Sequence, residues 1–391
     1  MGKNIRGQKL AFLVTLLATT FFTSAQSGSF EQVEMKGSKG SMLVGDVLSS
    51  FDNPWAMAFL PNGYSLVTER MGTMWLLDDK QQKRFAVSAV PTVTAKGQGG
   101  LGDVIVHPEF ETNSTIYISY VEHDPNDDTY SGAVVERAKL NISDSGAHLS
   151  DRELIWRQSP KVTGNGHYSH RMAFSSDGHL FITSGDRQKF TPAQNMAMNL
   201  GKILRLNADG TVPSDNPFYG NGSVTEQIWT LGHRNPLGID FDEQGNLWSH
   251  EMGPRHGDEL NIIEKARNYG YPVVSQGDHY SGVKIPNHED YPIYKAPETA
   301  WLPAISPAGF IIYKGDLHKS WKGNGFIGGL SSKALVRVTF AKDNEGKWGT
   351  EEAERYEWDK RVREVEQDSM GNIYVLEDKD GGRLIKLQPS N

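Results

Sequence analysis

Residues 164–188 read GNGHYSHRMAFSSDGHLFITSGDRQ. An alternating run after Arg171 and a second apolar run after His179 flank the turn at Asp177-Gly178, which is the pattern of a two-stranded hairpin. The loop carrying His167, His170 and Arg171 therefore lies at one end of a sheet, and Gly185-Asp186-Arg187 returns to that same end. An imidazole and a carboxylate can meet there.

The unit recurs. Working outward, the same strand, polar turn and second strand are found in WAMAFLPNGYSLVTER from Trp55, GDVIVHPEFETNSTIYISYV from Gly102, LGIDFDEQGNLWSHEMG from Leu237, AGFIIYKGDLHKSWKGNGFIGGL from Ala308 and VREVEQDSMGNIYVLED from Val362. With the copy at Arg171 these make six. Further strand pairs follow most copies, as at 72–77, 201–206, 334–340 and 382–387. A four-stranded unit of about 60 residues exceeds the compact propeller repeat but suits one with long connecting loops. The pattern predicts an all-β fold, a six-bladed β-propeller of four-stranded antiparallel blades, built as a single domain over residues 26–391. A two-sheet sandwich array is the nearest rival, and it does not explain why the same polar loop position recurs in every unit. Nine Trp, fourteen Tyr and sixteen Phe suit packing between blades, so most of these rings are assigned to the core.

Composition narrows the function. The 391 residues carry a formal charge of −8, with no basic excess to attract nucleic acid. At the N-terminus, Lys3, Arg6 and Lys9 precede an apolar run from Leu10 to Phe22 and then Thr23-Ser24-Ala25. Residues 1–25 thus read as a secretory signal peptide, and the mature chain is expected to be periplasmic or secreted, without a membrane span. An uncleaved anchor is the other reading of that run. The chain has no cysteine, which removes disulfides, thiolate metal sites and cysteine nucleophiles together. Calcium, which needs only oxygen ligands, stays available.

Chemistry is concentrated in the loops. Gly97-Gln98-Gly99-Gly100-Leu101-Gly102 matches a dinucleotide fingerprint in letters, yet a strand closed by Pro108 follows it where the fingerprint needs a helix. It is either a tight turn entering a blade or a place where a planar ligand approaches backbone while Gln98 bonds it. A carboxylate at Asp186 beside His167 would fix the imidazole tautomer and suit it as a general base; Asp186 can equally be a turn residue. Arg234-Asn235 offers a forked cation and an amide donor for carboxylate or quinone oxygens, or a link between blades. HEMGPRHGDELN, from His250, is the densest polar cluster. Glycine and proline break any zinc helix there, whereas Asp258, Glu259, Asn261 and the carbonyls near Gly253 and Pro254 are hard oxygen ligands suited to calcium. Arg361 and Arg363 alternate on one strand and share a face, making an anion site if that face is the central opening. No Gly-x-Ser-x-Gly elbow or phosphate loop is present.

Taken together, GQGGLGDVIVHPEF, the stretch quoted first, LGKILRLNADGTVPSDNPF, IWTLGHRNPLGIDF, HEMGPRHGDELNIIEKARNYGYP and RVREVEQDSMGNIYVLED closely resemble the soluble, pyrroloquinoline-quinone-dependent aldose sugar dehydrogenases, in the family's order and over residues 53–387. The resemblance implies a six-bladed propeller with pyrroloquinoline quinone in its central opening, held by a calcium ion. It makes His167 the base that takes the sugar C1 hydroxyl proton, Asp186 its orienting partner, and Arg234 a residue of both the catalytic and the cofactor-binding sets. Gln98, Asn235, Arg361 and Arg363 match cofactor contacts. Lys333 stands one or two positions from the family's cofactor lysine. Gly253 and Pro254 match carbonyl ligands of the cofactor's calcium, and Glu259 with the Tyr269 carbonyl matches a second calcium site.

The implied activity is oxidation of aldoses to lactones, with electrons passed to an external acceptor, by a monomer or homodimer. Two rivals are a non-enzymatic propeller that binds sugar or a protein partner, and a calcium-dependent lactonase. His167, Arg234, Asn235 and the arginine pair together favour the dehydrogenase, since a binding module has no need of all five.

Overall fold

The computed structural model describes residues 1–2, 30–78 and 83–388. The chain divides into two units, Met1–Phe30 and Glu31–Asn391; the expected signal peptide lies outside the described residues apart from Met1 and Gly2. Among the described residues no helix is long and apolar enough to cross a membrane.

The second unit is all-β, and its α-helix among the described residues is a single turn, Phe110–Asn113. Strands follow one another in antiparallel groups of four, for example Ser169–Phe174, Leu180–Ser184, Lys202–Leu206 and Ile228–Leu231. The quoted hairpin is the start of this group, with Met172 opposite Ile182 and Phe174 opposite Leu180. The first strands of successive groups are Pro54–Phe59, Leu101–Val106, Ser169–Phe174, Pro236–Phe241, Pro307–Ile312 and Val362–Gln367. Each packs on the next, and Val362–Gln367 packs back on Pro54–Phe59, so these strands surround a common axis in a propeller-like ring.

Burial follows from that layout. The second strands Leu180–Ser184, Leu247–Glu251 and Ile373–Glu377 are buried at every residue, because a neighbouring group covers each face. Outer strands such as Trp348–Glu357 mix exposed and covered positions instead. The core consequently lies between groups. Trp248, fully buried, packs on Phe340 at 4.5 Å and Trp348 at 5.3 Å between ring centroids. Fully burying each such large apolar side chain contributes about 1.5–3 kcal/mol.

The ends of the chain share a sheet. Met42–Asp52 pairs antiparallel with Asp380–Leu387 and so supplies a fourth strand to the last group, with Gln32–Gly37 beyond it. Where the sequence pattern predicts a strand pair at 382–387, the structure has the single strand Asp380–Leu387, and the fourth strand comes from more than 300 residues earlier in the chain.

Two features aim side chains at the axis. Every first hairpin slips register at its start, between Pro54 and Ala56, Leu101 and Val104, Ser169 and Met172, Pro236 and Gly238, Pro307 and Phe310, and Val362 and Glu364. Such irregularities re-aim residues at one end of a sheet, and here it is the end where His170, Leu237 and Arg363 emerge. Arg171, expected beside the histidine loop, turns inward instead. Its Nη1 donates to Asp103 Oδ1 at 3.3 Å and to Glu364 Oε2, its Nε donates to the Leu237 carbonyl at 3.0 Å, and its guanidinium lies 4.1 Å from the Trp55 ring. One buried charge therefore ties five of the first strands, its own included.

Candidate active site

A cavity of about 720 Å³ opens at the slipped ends of the first strands, lined among others by Trp55, Gln98, His170, Asn235, Arg361 and Arg363. Its size is that of a small-molecule site.

His167 adjoins this cavity, joined in the chain to Tyr168 and Ser169, which line it. Its backbone sits at φ 50°, and its N–H donates to Gln98 Oε1 at 2.7 Å, which ties the histidine to the cavity wall. Its Nδ1 lies 2.7 Å from Asp186 Oδ1. That approach needs glycine at 185, because a Cβ there would fall 2.0 Å from the His167 carbonyl. Asp186 is fully buried and also accepts the N–H groups of Gln188 and Phe190, each at 3.0 Å. Facing an acceptor, Nδ1 carries the proton and Nε2 keeps its lone pair. Burial pulls the imidazole below its ordinary value, the Asp186 contact opposes this and the Arg234 charge adds to it. The ring is thus held in one orientation, and burial disfavours its protonated form.

The other candidates sort by place. Arg361 and Arg363 face the cavity and share one counter-ion: Arg361 Nε donates to Asp378 Oδ2 at 2.7 Å and Arg363 Nε to Oδ1 at 2.9 Å. Asn235 Oδ1 accepts from Ser169 Oγ at 3.0 Å, leaving its buried Nδ2 without a partner. Lys333 stands apart: its ammonium pairs with Asp359 at 2.5 Å on the surface, and it does not line the cavity. It sits at φ 52° in the turn between Gly325–Gly329 and Ala334–Lys342.

Arg234 links two places. Its Nη1 donates to the carbonyls of Met252, at 2.8 Å, and Gly253, while its Nε is buried and unpartnered. Met252 lines the large cavity. Arg234, Gly253, Pro254, Glu259 and Tyr269 line a second cavity of about 10 Å³, with Glu251 and Ser275. Burial, and then repulsion from Glu251, pushes the Glu259 carboxyl up to about 8. Asp258 is buried next to it and receives the Gly253 N–H at 2.9 Å. The Tyr269 carbonyl accepts His288 Nε2 at 3.0 Å. Among the described residues no three His, Cys, Asp or Glu side chains converge as a metal cage, so a cation here would rely on main-chain carbonyls.

These residues fit the implied groups. Orphaned donors on Arg234 and Asn235, and two arginines with one carboxylate between them, suit a ligand bearing several carboxylates. Glu251 and Glu259 line the small cavity beside the one guanidinium of Arg234, so two carboxyls face one fixed positive charge and a cation's charge can be accommodated there.

Sequence reading missed Asp378, whose counter-ion role depends on Arg363 in the neighbouring strand Val362–Gln367 and on Arg361 just before it. It also missed the fate of Arg187, which clamps the histidine loop through the carbonyls of Gly166, Ser131 and Gly164 and lies 3.8 Å from the Tyr168 ring.

The model of the glucose/sorbosone dehydrogenase family matches residues 51–386. The aldose sugar dehydrogenase YliI of Escherichia coli (strain K12) is 35% identical over 344 residues, covering 87% of this chain and 91% of YliI. The apo-form crystal structure of the soluble aldose sugar dehydrogenase from E. coli superposes with a TM-score of 0.82 at 34% identity, over 89% of this chain and 100% of that one. The PQQ-bound form of an aldose sugar dehydrogenase from Streptomyces coelicolor shares the fold at a TM-score of 0.71 and 24% identity, over 90% and 98% of the two chains. The propeller-like ring, the site at its open end and this likeness along most of its length lead to one conclusion: the chain belongs to the glucose/sorbosone dehydrogenase family.

Proposed function

We propose that this chain is an exported aldose dehydrogenase: a single six-bladed propeller over residues 26–391, preceded by a signal peptide, that oxidises the C1 hydroxyl of aldoses to lactones. The observation that supports this most is the 2.7 Å contact of His167 Nδ1 with Asp186, made beside a cavity that Arg361 and Arg363 also face. Bound there, pyrroloquinoline quinone supplies a two-electron acceptor for the C1 hydride, and calcium a Lewis acid beside it.

The chain's own residues do the rest. His167 Nε2 takes the C1 hydroxyl proton as hydride leaves C1, and Asp186 stabilises the imidazolium that forms. Arg361, Arg363, Gln98 and Asn235 would hold the quinone, and Arg234 presents its charge beside His167. The carbonyls of Gly253 and Pro254 would hold the cofactor's calcium, and Glu259 with the Tyr269 carbonyl a second. Lys333, paired with Asp359 outside the cavity, is left out of that set. The lactone departs, and an external acceptor takes the two electrons.

The test is aldose-dependent dye reduction by the purified chain with calcium, before and after pyrroloquinoline quinone is added, alongside His167→Ala. Activity that needs the quinone and collapses in the variant supports the reading. Absence of quinone binding overturns it.

A further inference from the structure

Glu251 ends the strand Leu247–Glu251 and is 4% exposed. Its register partner on the neighbouring strand is Pro236, which has no N–H to give. The side chain supplies the missing link. Oε1 accepts from His233 Nδ1 at 2.9 Å, and Oε2 accepts the backbone N–H of Arg234. His233 is itself fixed, with Thr230 Oγ1 at 2.9 Å from its Nε2 and its ring stacked on Tyr269 at 4.6 Å. On its other side, the Arg234 carbonyl accepts the N–H of Asp186 at 2.8 Å. A continuous path thus runs from the Glu251 carboxylate through the Arg234 main chain and Asp186 to His167 Nδ1.

We propose that Glu251 is a positioning residue for the His167–Asp186 pair, acting through the main chain of Arg234. This rests on the reading of His167 as the base. Two N–H groups point at Glu251, and only a carboxylate can accept both without turning a donor toward one of them. With the Arg234 N–H released, the loop 232–235 keeps its bonds at Gly232 and His233, to the Ala193 and Gly201 carbonyls, but loses the one at Arg234 itself, so the carbonyl that anchors Asp186 is held less closely. The other contacts of the Asp186 carboxylate, to Gln188 and Phe190, lie within its own loop and do not fix that loop to the next group. Loss of Glu251 would therefore reach His167 as lost orientation.

The test uses the full chain labelled with ¹⁵N-histidine, free of quinone and calcium, with the His167 Nδ1 proton assigned by its loss in His167→Gln. A proton held by a buried carboxylate resonates far downfield and exchanges slowly. In Glu251→Gln it should exchange about tenfold faster, and in the loaded enzyme kcat should fall about tenfold while the aldose KM stays within about threefold. Glu251→Asp, charged but one methylene shorter, keeps one contact of the two and should fall between. An unchanged His167 proton in folded Glu251→Gln protein overturns the positioning role. If that variant does not fold, the same outcome in Glu251→Asp overturns it. Because this signal is read without quinone or sugar, it stands independently of whether the chain proves to be a dehydrogenase.

Discussion

His167 Nδ1 stands 2.7 Å from an Asp186 carboxylate that is fully buried and that meets two further N–H groups. An asparagine at 186 would offer one acceptor and one donor to three donors, and the imidazole would lose its fixed tautomer. Asp186→Asn is expected to lower kcat by about 10²- to 10⁴-fold with the quinone still bound. The pH profile carries the same logic. The base works neutral, and burial places its folded-state value below about 6.5. The acid limb of kcat/KM should therefore bend below that pH, activity being lost as pH falls through the depressed value. A bend above 6.5 would contradict the assignment.

Arg363 and Lys333 make a contrast. Arg363 faces the cavity with Asp378 at 2.9 Å, whereas Lys333 pairs with Asp359 on the surface. Arg363→Ala should weaken quinone binding about ten- to a hundredfold, the worth of a charge-assisted hydrogen bond of about 1.5–3 kcal/mol. Lys333→Met should leave it unchanged. Equilibrium titration of each variant with the quinone, followed by absorbance, separates the two.

The hairpins were legible because their period-2 runs and Asp-Gly or Asn-Gly turns are local signals, and His167 with Asp186 was legible because one hairpin returns both to one end. Other features depended on distant partners. Met42–Asp52 reads as a strand, but nothing near it in the chain says that it joins Asp380–Leu387. Arg171 looked like a loop residue because the slip between Ser169 and Met172, which turns it inward, breaks the alternation used to assign faces. Asp378 and Glu251 lie within quoted stretches, yet their roles come from residues on other strands.

Calcium should stabilise the fold through Glu259. This carboxyl is buried, pushed up to about 8, and lines the small cavity with Tyr269, Gly253 and Pro254. A cation that binds only the folded chain at about a hundred times its dissociation constant adds about 2.7 kcal/mol. The unfolding midpoint should rise with calcium and fall back with chelator. Glu259→Gln should lose that response while its calcium-free midpoint holds or rises, since an amide avoids the cost of desolvating or protonating this carboxyl. An equal calcium shift in the variant would remove Glu259 from the site.

Removing the axial charge should be costly. Arg171 alone stands between Asp103 and Glu364, and all three side chains are buried. Arg171→Met would leave two carboxyls facing each other without their cation, at a cost of about 3–5 kcal/mol. Urea unfolding measures it. Adding Glu364→Gln to Arg171→Met should recover part of the loss, because one of the stranded charges goes with it. A loss below about 1 kcal/mol, the range of a surface pair, would show that the hub is not a stability element.

His250 lowers acid stability in the same direction as a paired carboxylate, but because burial disfavours its charged form. It is fully buried against Gly238 and Phe310, both ring nitrogens lack partners, and burial, aided by the charge of Arg171, pulls it to about 3. Unfolded, the ring titrates near 6.5, so the unfolded chain binds a proton that the folded chain refuses between those values. Its contribution is fully present above about pH 6.5 and is lost progressively as pH falls toward 3. His250→Leu removes both the titration and two unsatisfied polar atoms. The variant should match or exceed the parent at pH 7.5, and its advantage should widen by about 1.4 kcal/mol for each pH unit below 6. Denaturant midpoints at pH 7.5, 6 and 5 decide it, and a constant difference across the three would show that the parent's imidazole takes up its proton without unfolding.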